Sequence, residues 1–96
     1  MYLIRDTFHC KPGKAKELVK KFKLTSPYME EQHLKNVRIM TDIVSDYWTV
    51  VLEGEVNSLA EFENHRNFTS QQQVKEIMAG YMDLVEGGRR EIFQIE

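Results

Sequence analysis

One carboxylate is out of pattern near the start of the chain. Tyr2, Ile4, Phe8 and Cys10 alternate as one face of a strand, and Asp6 sits among them where alternation asks for an apolar side chain. A carboxylate on a face that packs against helices must be ion-paired, hydrogen-bonded or protonated. Asp6 therefore reads as a structural partner for Arg89 or Arg90, as an acid or base in a pocket, or as lying at an exposed strand end. His65 is the second candidate, since an imidazole exchanges a proton near neutral pH. It stands off the stripe of Leu59, Phe62 and Phe68, so the alternative is a surface or helix-end histidine. Trp48 is large enough to wall a cleft or to fill a core. With Phe62, Met78 and Tyr81 it makes up the expected ligand-contacting set, and Tyr28 and His33 are further side chains able to approach the same cleft. His9, on the strand face opposite to Asp6, is expected at a subunit interface or in solvent.

Other chemistries lack support. No two histidines stand at i, i+4 and there is no cysteine cluster, so no metal site is expected. Neither a phosphate-cradling glycine loop nor a nucleophile elbow is present, and nothing calls for a cofactor. Cys10 is the only cysteine; no intrachain disulfide can form, and nothing beside it in sequence lowers its pKa, so it is expected as a small buried apolar residue. The 13 basic and 15 acidic residues give a net charge of −2, which argues against nucleic acid as a partner. The lysines at 14, 16, 20, 21 and 23 lie opposite Ala15, Leu18, Val19 and Phe22 on a helix and read as its solvated face. No apolar run approaches the ~18 residues of a membrane span, and no secretory signal is visible. The expectation is a single domain over 1–96, cytoplasmic, without membrane contact.

The elements that must position these residues follow from periodicity. The first strand ends at Lys11-Pro12-Gly13, and the spacing of Ala15, Leu18, Val19 and Phe22 predicts a helix from about 13 to 24. Thr25 to Asn36 reads as a connector, with Ser26-Pro27 able to start a short second turn. Val37–Ser45 and Tyr47–Val56 are rich in β-branched and aromatic residues and predict a hairpin turning at Ser45-Asp46, with Trp48, Val50, Leu52, Gly54 and Val56 on one face. Ser58 and Glu61 form a capping box that starts a helix at Leu59. After a break near Asn67 to Ser70, Val74, Ile77, Met78, Tyr81 and Val85 continue a helical stripe that Gly87-Gly88 should stop. Arg89 to Glu96 then supplies the last strand. The order is βαββαβ, an α+β ferredoxin-like plan with a four-stranded antiparallel sheet and helices on one face.

Three stretches carry a resemblance beyond this plan: Phe8 to Phe22 (FHCKPGKAKELVKKF), Ser58 to His65 (SLAEFENH) and Gly88 to Ile95 (GRREIFQI). They resemble the dimeric α/β-barrel superfamily, in particular its antibiotic-biosynthesis monooxygenase-like and NIPSNAP-like proteins. The resemblance implies a homodimer built through the uncovered sheet face, with a cleft between sheet and helices in each subunit. It implies binding of, or cofactor-independent oxygenation of, a small aromatic or apolar compound, with Asp6 or His65 as proton acceptor. The alternative is a non-enzymatic ligand-binding or structural homodimer with a filled cleft. The haem-degrading branch fits poorly: its asparagine, tryptophan and haem-ligating histidine fall at Asp6, about His65 and near Lys75, and a lysine does not replace an imidazole iron ligand.

Overall fold

The computed structural model describes residues 1–63 and 70–96. Strand β1 (Tyr2–Cys10) is followed by helix α1 (Ala15–Glu31), strands β2 (Lys35–Thr41) and β3 (Thr49–Val56), the short helices α2 (Leu59–Glu63) and α3 (Gln72–Met78), a 3-10 turn at Tyr81–Asp83, and strand β4 (Val85–Gln94). The strands form one antiparallel sheet in the order β2-β3-β1-β4. The α+β ferredoxin-like architecture expected from periodicity is the one observed. Leu18, Phe22 and Met29 of α1 and Val74 of α3 close over Val50 and Cys10 to form the core. Among the described residues, no helix is long and apolar enough to cross a membrane.

Four local readings are corrected. Helix α1 does not stop at 24 but runs through Pro27 to Glu31. A proline inside a helix removes one amide donor and costs roughly 3 kcal/mol. Here the carbonyl left without that donor, on Lys23, accepts from the Ser26 hydroxyl at 3.1 Å, while Thr25 Oγ1 donates to Lys21 at 3.1 Å and to Phe22 at 3.2 Å. The continuation also buries Thr25 and Met29, a tertiary gain that a window-by-window reading of the polar segment cannot register.

The β2–β3 connection is a loop over residues 42–48 rather than a tight turn at Ser45-Asp46. Asp42 Oδ1 accepts the Thr49 amide at 2.9 Å, and the Thr49 hydroxyl donates to the Asp46 carbonyl. Trp48 belongs to this loop: its φ of 60° lies in the left-handed region, which removes it from the alternation of β3.

The third and fourth corrections concern the glycines. The helix carrying Val74 and Met78 ends at Met78, where Gly80, at φ 80°, turns the chain, and Lys21 Nζ donates to the Ile77 and Ala79 carbonyls, each at 2.9 Å. Gly87 and Gly88 are strand residues opposite His9 and Phe8, not a helix stop. The full length of β1 is available to pair with β4, and those ladder hydrogen bonds outweigh the weak strand preference of glycine. The capping box forms as expected in its main bond, Glu61 N–H donating to Ser58 Oγ at 3.2 Å.

Candidate functional site

The sheet and the helices do not close completely on one another. Between them lies a cavity of about 430 Å3, walled on the strand side by Ile4, Phe8 and Leu52 and on the helix side by Phe22, Met29 and Met78. The size falls within the range of small-molecule pockets. Strand register builds its polar wall. Asp6 stands opposite Arg90 on the neighbouring strand, and the guanidinium donates to both carboxylate oxygens, Nε to Oδ1 at 2.7 Å and Nη2 to Oδ2 at 2.9 Å. The same guanidinium lies 5.1 Å from the centre of the Phe62 ring, a cation–π contact. The Asp6 hydrogen bonds raise the Arg90 guanidinium above its already high ordinary value, against the opposing effect of its partial burial. Lys75, on the exposed side of α3, supplies a second cation to the lining.

The residues singled out from sequence divide accordingly. Asp6, Phe62, Met78 and Tyr81 all line the cavity. Asp6 has taken the ion-pairing option, with Arg90 as its partner and not Arg89. Both of its oxygens are engaged by one fork, so Asp6 orients Arg90 and fixes the wall. Trp48 is elsewhere: it lines a separate hollow with Ala15, Val19 and Lys20, because the loop conformation carries it to the far end of the sheet. His65 lies outside the described residues. Tyr28 packs against the core without lining the cavity, and His33, at φ 70°, sits in the turn after α1. Cys10 is buried at 3% exposure, and burial pushes its thiol up, away from the low value a nucleophile requires. Among the described residues, no group of three His, Cys, Asp or Glu side chains is placed to hold a metal ion.

Several further residues line the cavity. Thr25 and Met29 come from the part of α1 that reads as a connector. Gly54 lines the cavity next to Leu34, whose side chain occupies the space a Cβ would need; a glycine inside a strand is the available signal for such a close approach. On the opposite sheet face Glu53, only 5% exposed, accepts from Arg5 Nε at 2.6 Å and Arg38 Nη2 at 2.8 Å. Arg5 also lies 5.4 Å from the Phe93 ring centre.

No protein-family model matches the sequence, nor does any curated protein. Solved structures do match in shape. A NIPSNAP-family protein of unknown function from Agrobacterium tumefaciens superposes with a TM-score of 0.82 at 15% identity, covering 99% of this chain and 87% of that one. An uncharacterised NIPSNAP-domain protein from Burkholderia xenovorans gives 0.82 at 14% identity, covering 100% and 95%. A protein provisionally named an antibiotic biosynthesis monooxygenase, from Chloroflexus aurantiacus, gives 0.77 at 12% identity, covering 99% and 93%. The chain thus shares the ferredoxin-like fold of NIPSNAP-domain and monooxygenase-like proteins.

Proposed function

We propose that this protein binds a small, largely apolar or aromatic molecule in the cleft between sheet and helices. The observation that carries the reading is the open 430 Å3 cavity, apolar on most of its wall and interrupted by one ordered ion pair. A cleft filled by its own side chains, as the structural alternative requires, would leave no such volume, and Phe62, Met78 and Tyr81 line the space without occupying it. Oxygenation without a cofactor is the second reading, favoured by the shape shared with the monooxygenase-named protein of Chloroflexus aurantiacus. In that reading the substrate supplies the electrons, a CH2 group and O2 giving a carbonyl and water. Asp6 and His65 are the proton acceptors proposed for it, and Asp6 serves only if substrate displaces the Arg90 fork.

The same proposal includes a cytoplasmic homodimer joined through the uncovered sheet face, supported by Phe93 and Met40, which stand 44% and 37% exposed on strands of that sheet. Native mass spectrometry of the freshly purified protein tests both parts. A dimer with retained small-molecule mass supports the reading. A monomer removes the dimer, and failure of any apolar or aromatic probe to bind removes the ligand site.

A further inference from the structure

The charges around the cavity do not cancel. Asp6 and Arg90 neutralise one another through two hydrogen bonds. Glu53, whose chain also borders the space, directs its carboxylate to Arg5 and Arg38 on the other face. Lys75 remains: it lines the cavity, and no described carboxylate lies within ion-pair distance of it. Its nearest acidic neighbour in sequence, Glu76, accepts instead from Gln72 at 3.2 Å and does not line the cavity. Among the described residues, the pocket is therefore an apolar enclosure with one net positive charge at its polar rim.

A charge beside low-dielectric walls acts on a ligand more strongly than one in open water. A ligand cation would be repelled by Lys75 and would find Asp6 already neutralised by Arg90. A neutral ligand would leave Lys75 solvated and indifferent. An anion gains a charge-assisted hydrogen bond.

Building on the small-molecule reading of this cleft, we propose that its ligand is an amphiphilic monoanion: an apolar chain or ring body lying along Phe8, Phe22 and Met29, and a single carboxylate or similar head group held by Lys75. Asp6 contributes by holding Arg90 in place, so that the polar wall stays fixed and adds no second binding charge.

The test uses three probes of one shape, phenylbutyrate, phenylbutanol and phenylbutylamine, titrated calorimetrically into the intact protein and into Lys75→Gln. Lys75 is exposed, so the variant retains its fold. The expected result is that the acid binds about tenfold more tightly than the alcohol, a preference of the size one charged contact supplies, with the amine weakest. Lys75→Gln should bring the acid down to the affinity of the alcohol and leave the alcohol unchanged. Equal binding of acid and alcohol, or an acid affinity insensitive to Lys75→Gln, overturns the anionic assignment while the cleft remains a binding site. Absence of binding by all three overturns the cleft itself.

Discussion

Both faces of the sheet place a carboxylate on a central strand beside arginine, and the two arrangements serve different ends. On the uncovered face Glu53 of β3 is nearly buried, with one oxygen held by Arg5 and the other by Arg38. On the helix face Asp6 of β1 pairs with Arg90, which grips both oxygens. Glu53 ties three strands through side chains, since Arg5 and Arg38 come from β1 and β2 on either side of it. Asp6 ties two strands and forms the edge of a cavity. The lesson is that a charge among apolar neighbours does not by itself mark a site. Asp6 and Glu53 are both such charges, and of the two only Asp6 turns its carboxylate toward the helix face, where the cavity lies.

Removing the cations from Glu53 should produce the largest effect. Arg5→Leu combined with Arg38→Leu leaves a carboxylate at 5% exposure without a counter-charge, and a stranded buried charge costs about 3 kcal/mol or more. Urea unfolding should show this loss, with the midpoint recovering when Glu53→Gln is added. A recovery that fails would mean that the arginines act through packing of their stems.

Packing on the helix face comes next. A Cβ at Gly54 would stand 2.5 Å from Leu34 Cγ, so Gly54→Ala should destabilise by about 2 kcal/mol. Leu34→Ala in the same chain should return part of that loss, and the coupling is read from a double-mutant cycle.

Asp6→Ala should cost less than the stranding of Glu53, about 1 kcal/mol, because the Arg90 side chain is 48% exposed and can turn to water once released. If thermal unfolding shows Asp6→Ala to be the costlier change, the two faces have been ranked in the wrong order.

The smallest effect at neutral pH is that of Cys10, which shows only as a pH dependence on the alkaline side. Burial raises the folded-state pKa of Cys10 above the ordinary 9.0. The folded protein thus holds its proton while the unfolded chain releases it. The resulting contribution to stability is complete below pH 9.0 and is lost as pH rises above that value. The slope is at most about 1.4 kcal/mol per pH unit. Urea midpoints compared between the protein and Cys10→Ala should diverge only on the alkaline side.

Much of this was legible in the residues. The βαββαβ order follows from the apolar periods, the helix start at Leu59 from Ser58 and Glu61, and the burial of Cys10 from its place on the apolar strand face. The pairing of Asp6 with an arginine of the last strand was also readable, because only a few partners can satisfy a carboxylate on such a face. At Pro27, Trp48 and Gly87-Gly88 local preference yields to contacts made far along the chain: the burial of Thr25 and Met29, the Cys10 amide donating to the Trp48 carbonyl, and the β1–β4 ladder.

By itself, then, the sequence determined which elements exist, in what order, and which polar residue lies on the helix-facing side of the first strand. Only the tertiary structure decided that Arg90 and not Arg89 meets Asp6, that Trp48 stands away from the cleft, that Glu53 is enclosed by two arginines, and that Lys75 is the uncompensated charge among the described residues lining the cavity. Patterning along a chain records which way a side chain points. Strand register and helix packing determine which other side chains are waiting there, and they depend on residues distant in sequence whose pairing no local window contains.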